Sequence, residues 1–362
     1  MNKIKVSLEK KTSRSYDICI GKNILDRAAL LLTKHNWASR YVIITDATVQ
    51  NLHGRWVSGT FSSMGIKTEL ISFPAGEASK MMETGLYVAQ QLLDLGADRT
   101  SAIIALGGGV VGDLAGFLAS VYMRGIPYVQ IPTTLLAQVD SSIGGKTGVD
   151  LPAGKNILGT FHQPKAVFID LAFLETLPDR EFDNGLAEIL KYGAIEDPEL
   201  LDVLESGRDS LREDESLLER LVAKSCRIKK NVVEIDEMEK GLRRILNFGH
   251  TIGHAVEAES GYTLSHGEAI GIGMTASALI SEKLKYLSSE ERKRLASLVR
   301  GVGLPDRIPQ GMSGDAILAR MKRDKKKAGG TISFVLLKKI GLPFVTDGVT
   351  EELILEVIEE IR

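Results

Sequence analysis

The stretch Asn247-Phe248-Gly249-His250-Thr251-Ile252-Gly253-His254-Ala255-Val256-Glu257 carries two imidazoles four residues apart. On a helix that spacing puts both on one face, about one turn from each other. Such a pair suits a metal ion, or a metal ligand beside a general acid/base. A third imidazole follows in Leu264-Ser265-His266-Gly267-Glu268, so three of the chain's six histidines fall between positions 250 and 266. A lone pair would read as satisfied or solvated side chains. With His266 close behind, metal binding or catalysis is the stronger reading. Gly249 and Gly253 form an adjoining small-residue strip, which predicts a bulky neighbour close to the helix.

A second candidate is rich in glycine. A strand expected over residues 101–106 runs into Gly107-Gly108-Gly109-Val110-Val111-Gly112-Asp113, which fits G-x-G-x-x-G between a strand and a helix. Glycine there lets backbone N–H groups close on a pyrophosphate, although a tight turn with close packing has the same pattern. The next expected strand, 128–131, ends at Pro132-Thr133-Thr134 with no acid for a ribose. Asp46, ending an earlier strand, fits that job better, so the pattern implies a dinucleotide in a variant arrangement.

Lys146 and Lys155 lie in glycine-rich polar stretches, Gly144-Gly145-Lys146-Thr147 and Gly154-Lys155-Asn156, expected as loops. Backbone folding around an anion while an ammonium meets it suits phosphate. The first resembles the end of a Walker A loop but lacks its upstream glycine and leading strand, which excludes an ATPase. Residues 183–193 read as a helix capped at Asp183, with Glu188 and Lys191 on one side. Taken alone, that pair is a structural ion pair. Asp324-Lys325-Lys326-Lys327 reads as a basic loop able to close over an anionic substrate.

The elements that must hold these residues alternate in the first half. Strands are expected at 41–45, 67–73 and 101–106, a helix at 81–95, and a hairpin of 4–8 with 16–20 at the start. This alternation indicates parallel strands with crossover helices. Beyond Pro178 the pattern is almost wholly helical, with 197–240 a solvated helical region and 331–337 strand-like. The fold class is therefore an α/β domain over 1–177 and a helical domain over 178–362; 362 residues suit two domains. With 45 basic and 47 acidic residues, the charge balance argues against a nucleic-acid partner. Cys19 and Cys226 match no C-x-x-C pattern and read as reduced thiols. Neither a signal peptide nor an apolar run of membrane-spanning length is present, which reads as a cytoplasmic protein with no membrane partner.

Taken in order, GGGVVGD, IPTTLLAQVDSSIGGKTGVD, GKN, AEILKYG, GLRRILNFGHTIGHA and HGEAI resemble the dehydroquinate synthases of the sugar phosphate cyclase family, over essentially the whole chain. The resemblance implies a plan like that of glycerol dehydrogenase, with an NAD-binding α/β domain before an all-α metal-binding domain. It places metal ligands, for zinc or cobalt, at Glu188, His250 and His266, and a polar catalytic group at His254. Substrate-side positions carried over are Arg124, Asp140, Lys146, Asn156, Lys191, Lys229, Arg243 and Asn247, with a lysine of the 325–326 pair. NAD positions carried over are Asp46, Ala75-Gly76-Glu77-Ala78-Ser79-Lys80, Gly109-Val110-Val111-Gly112-Asp113, Thr133, Thr134, Lys146, Lys155, Phe173-Leu174-Glu175-Thr176 and Glu181. Thr48 departs from an expected asparagine in Asp-x-Asn.

The implied substrate is 3-deoxy-D-arabino-heptulosonate 7-phosphate, a phosphorylated sugar acid whose two anionic ends account for the basic residues. The implied chemistry is redox-neutral: oxidation of a hydroxyl, β-elimination of phosphate, return of the hydride, and aldol closure to 3-dehydroquinate. Homodimers are common in the family. The rival readings are another sugar phosphate cyclase and a zinc-dependent, NAD-linked polyol dehydrogenase. The dehydrogenase would not need the anion-binding set.

Overall fold

A computed structural model of the chain describes residues 15–152, 154–328 and 332–362. The strands of its first half are β1 (Asp17–Gly21), β2 (Arg40–Asp46), β3 (Thr68–Phe73), β4 (Ser101–Gly107), β5 (Tyr128–Pro132), β6 (Lys146–Leu151), β7 (Gly154–Phe161) and β8 (Ala166–Asp170). Six of them form one sheet in the order β1-β8-β5-β4-β2-β3, with every pairing parallel. Helices cover both faces, so β4 is buried along its length and reads as a continuous apolar run. Alternate residues feed different cores. Ile43 and Ile104 pack with Leu25 and Phe61 on one face, and Val42 and Ile103 pack with Val88 and Leu114 on the other.

The chain leaves β2 toward β3 and returns to place β4 on the other side of β2. The order reverses there, and the crevice beyond the strand ends at such a point is where open α/β sheets take ligands. Asp46 ends β2 and Gly107 ends β4 at that crevice.

Several expectations change. The Lys146 and Lys155 stretches, expected as loops, lie in the antiparallel pair β6–β7, which packs along the helix Gly109–Val121. Glycines at 148 and 159 dilute the alternation that marks a strand, so the pattern is weak in sequence. A Cβ on Gly148 would come 2.8 Å from the Leu158 carbonyl oxygen, so the close pairing needs glycine. The Glu188 helix starts at Asp179, after Pro178, rather than at Asp183, which is buried within it. The helix Glu215–Ile235 buries Leu221, Val222, Cys226 and Lys229, so 197–240 is not a wholly solvated region. The 4–8 strand lies outside the described residues, while the 16–20 stretch becomes β1 and pairs in parallel with β8.

Beyond Asp170 the fold is helical, apart from an antiparallel pair, β9 (Phe334–Lys339) with β10 (Leu342–Thr346). The backbone of 324–328 ends the helix Gly314–Ala328 instead of forming a loop; the side chains of Lys325 and Lys326 lie outside the described part. The bulky neighbour expected beside Gly249 and Gly253 is a helix, His266–Lys283. A Cβ on Gly253 would lie 2.9 Å from Ala269 O, and one on Gly273 only 1.9 Å from Gly249 O. Among the described residues no helix is long and apolar enough to cross a membrane.

Candidate active site

Three helices bring the metal-type side chains together. Glu188 comes from Asp179–Ile195, His250 from the first turn of His250–Glu259, and His266 from the first turn of His266–Lys283. One donor atom from each lies within 4.8 Å of the others. Glu188 Oε1 is 3.6 Å from His250 Nε2 and 3.4 Å from His266 Nε2. The Nδ1 of His250 lies 3.1 Å from the Phe248 carbonyl oxygen. A carbonyl only accepts, so Nδ1 carries the proton and Nε2 presents its lone pair toward Glu188. Burial also holds the His250 imidazole well below its ordinary value, in the neutral form a metal requires. Burial alone would lower His266 too, but the Glu188 carboxylate outweighs it and raises the ring. This donor set fits a catalytic divalent ion with open coordination positions.

His266 is set by its helix start. Ser265 caps that helix in a capping box with Glu268, and the Asn184 side-chain oxygen accepts from the Gly267 N–H. Asn184 stands one turn before Glu188, so one helix positions both the carboxylate and its imidazole partner. His254 is exposed at the edge of the cluster, its ring centre 5.1 Å from that of His250.

Beside this group lies a buried network centred on Asp140. Lys229 Nζ is 2.9 Å from Asp140 Oδ1 and donates to its carbonyl oxygen at 2.7 Å. Lys191 Nζ pairs closely with Glu188 and lies 3.8 Å from Asp140 Oδ1. The Tyr192 hydroxyl donates to the same carboxylate. Burial would raise Asp140, but Lys229 and Lys191 outweigh it and hold the carboxyl far below the usual range. Burial depresses Lys229, incompletely offset by Asp140, while Lys191 is raised because Glu188 and Asp140 overcome its burial.

The remaining basic residues are placed unevenly. Lys146 pairs with Glu239, whose other oxygen accepts from Asn247 Nδ2 at 3.1 Å. Arg243 is buried and donates to the carbonyls of Glu237 (2.7 Å) and Gly144 (3.3 Å), anchoring the turn that leads to Lys146. Asn156 is exposed, and its N–H donates to Asp150. Arg124 is exposed on the turn past the far end of Gly109–Val121; two residues on, the Ile126 carbonyl oxygen lies 3.1 Å from His162 Nε2, and the His162 backbone N–H donates to Gly145 O at 2.8 Å, next to Lys146.

On the cofactor side, Lys80 Nζ pairs with Asp113 at 2.6 Å, tying the Ala75-to-Lys80 segment to the glycine turn. Ala75, Gly76, Glu77 and Ala78 are exposed and Ser79 is buried. The glycines serve close packing as well: a Cβ on Gly112 would lie 2.8 Å from Gln130 Oε1, and one on Gly109 would lie 3.2 Å from Ser141 Oγ. Val111 is a core residue, Val110 is half-buried, and Thr134 flanks Gly108. Among the described residues, Thr133 Oγ1 at the end of β5 is buried without a hydrogen-bond partner, as is Thr45 Oγ1 next to Asp46. Two orphaned hydroxyls at the crevice fit a polar cofactor there. Asp46 Oδ1 accepts from the N–H groups of Thr48 (2.8 Å) and Val49 (3.0 Å), so position 48 contributes through its backbone. Phe173 and Leu174 are core residues; Glu175 pairs with Lys22, Thr176 with His53, and Glu181 accepts from Asn184.

Sequence reasoning missed Tyr192, Asn184, Glu239 and Glu257. Glu257 had a visible signal, since it lies three residues past His254 on the same helical face. Glu239 and Asn184 had none, because their partners are remote along the chain or made by backbone atoms.

Residues 70–184 match the 3-dehydroquinate synthase N-terminal family and residues 185–327 its C-terminal family. A 3-dehydroquinate synthase of Symbiobacterium thermophilum is 45% identical over 351 residues, covering 96% of this chain and 98% of the relative. Among solved structures, a 2-epi-5-epi-valiolone synthase from Streptomyces hygroscopicus with NAD+ and Zn2+ bound is 32% identical, with a TM-score of 0.90 and 99% of each chain covered. A 2-deoxy-scyllo-inosose synthase complexed with carbaglucose-6-phosphate, NAD+ and Co2+ is 28% identical, with a TM-score of 0.86, covering 95% of this chain and 96% of the other. Sequence matches across both halves and a shared architecture lead to one assignment: this chain belongs to the 3-dehydroquinate synthase family.

Proposed function

We propose that the protein converts 3-deoxy-D-arabino-heptulosonate 7-phosphate into 3-dehydroquinate and phosphate, in the shikimate route toward chorismate and the aromatic amino acids. The observation that carries this reading is the convergence of Glu188, His250 and His266 beside the Asp140–Lys191–Lys229 network. Glu188, His250 and His266 would hold zinc or cobalt, which would make a substrate hydroxyl more acidic, and the strand ends would hold NAD, which would supply reversible hydride transfer.

The chain's own residues do the rest. Phe248 O fixes the His250 tautomer, and Asn184 and Ser265 fix where His266 begins its helix. Asp140 holds two ammonium groups in place, so that their N–H donors are already positioned when the anionic substrate arrives. Tyr192 holds Asp140 in turn. Lys146, Asn156 and Arg124 are the donors assigned to the phosphate, and Arg243 keeps the Lys146 turn in register. His254, at the exposed edge, takes or returns a proton at a substrate oxygen, with Asn247 as its polar neighbour. Lys155 and the segments around Asp46, Lys80, Gly109 and Thr133 hold the dinucleotide. This reading divides the chain at 177/178 into an NAD-binding and a metal- and substrate-binding part, and takes the enzyme to be a cytoplasmic homodimer.

The test is product analysis by NMR after incubating the protein with the heptulosonate phosphate, NAD and zinc. Phosphate release and 3-dehydroquinate formation without net NADH are expected. NADH accumulating on a polyol, or turnover only on other sugar phosphates, would overturn the assignment.

A further inference from the structure

Glu257 is a buried carboxylate with no role in the scheme above. It lies one turn beyond His254, and one of its oxygens lies in a group with His254 and His266 whose donor atoms are within 4.8 Å of one another. Its Oε1 also accepts from Lys155 Nζ at 2.9 Å. Lys155 stands at the start of β7, and the same Nζ reaches Glu77 Oε1 at 3.1 Å while lying 4.7 Å from the centre of the Tyr262 ring. Glu77 belongs to the segment that Lys80 ties to Asp113. A continuous line of charged groups thus runs from the glycine turn to the imidazoles, and Lys155 is its one link across the crevice among these groups.

We propose that Glu257 is a positioning residue that joins the metal-side histidines to the cofactor segment through Lys155, so that metal and NAD each tighten the other's binding. The proposal rests on the function proposed above. The link Glu77–Lys155–Glu257 is already formed without ligand, so a ligand that holds one end in place also favours the arrangement the other ligand needs at the far end. The coupling is reciprocal by thermodynamic necessity.

Calorimetric titration of NAD into the whole protein, metal-stripped and zinc-loaded, tests this in wild type, Glu257→Gln and Glu77→Gln. Zinc is expected to tighten NAD by about fivefold or more in the wild type, and by less than about twofold in either variant while zinc still binds. An unchanged ratio in the variants, or a wild-type ratio of one, overturns the inference. Loss of zinc altogether in Glu257→Gln also overturns it, since Glu257 would then be a ligand. Should that variant fail to fold, Glu77→Gln breaks the other end of the same link from an exposed position. A wild type binding neither zinc nor NAD would instead overturn the proposed function.

Discussion

The two walls of the crevice are built by different means. On the helical wall, Glu188, Lys191 and Lys229 are buried side chains whose charges are balanced by one another and by Asp140. On the sheet wall, the Ala75-to-Ala78 segment is exposed and shaped by backbone, with Gly76 at a φ of 105° that side-chain-bearing residues rarely adopt. One wall is a set of charges that need partners; the other is a set of backbone donors that need a conformation. Substitutions on the first should therefore cost stability and metal affinity together. Those on the second should mainly change cofactor affinity.

The largest expected break is Lys191→Ala. Removing one partner from a buried charge cluster leaves Glu188 and Asp140 facing each other, at a cost of about 3–5 kcal/mol. Urea unfolding of the metal-free protein measures it, and zinc should recover part of the loss by supplying positive charge at Glu188. Equal stability with and without Lys191 would mean that the network is solvated. His250→Ala comes next. Outer-sphere partners of metal ligands are commonly worth 10–100-fold in affinity, so losing a ligand should weaken zinc by more than about 100-fold. Competition with a chromophoric chelator reads this, and NAD affinity in the metal-free protein should stay close to wild type.

A third test separates the walls by pH. The Asp140 carboxyl is held below its ordinary range. Its contribution to stability is thus fully present above the unfolded-state value of about 3.9 and is lost as pH falls below that toward the folded-state value. Acid unfolding of the wild type should lose this contribution as pH falls below that value, and Asp140→Asn should show a shallower acid limb. An unchanged acid limb in the variant would remove Asp140 from the charge balance.

The same contrast explains what was legible in the sequence. Strands β2, β4 and β5 announce themselves because each is a short, mostly apolar run bounded by turn residues, and the imidazoles of the helical wall are visible through their spacing. The β6–β7 hairpin was hidden because glycines replace the residues that would alternate. Glu188 is hidden as a candidate ligand because its local partner, Lys191, explains it fully as an ion pair; only the converging helices show the histidines opposite. Glu239 lies 93 positions from Lys146, a separation that no local pattern spans.

The smallest effect is at Asp46, and it sharpens the comparison because this residue belongs to both kinds of wall. Its Oδ1 caps the short helix Ala47–Val49 by accepting from Thr48 and Val49, as a helix-start residue does. The carboxylate also has Oδ2, which is the atom left for a ribose hydroxyl. Asp46→Ala should lose the cap at about 1 kcal/mol and weaken NAD as well. Asp46→Asn keeps an accepting oxygen for the cap but puts an amide where the second carboxylate oxygen was. Thermal unfolding should therefore leave Asp46→Asn near wild type, while NAD titration shows it weakened. If Asp46→Asn binds NAD as wild type does, the residue belongs to the fold alone, and the ribose contact must be sought elsewhere along the strand ends.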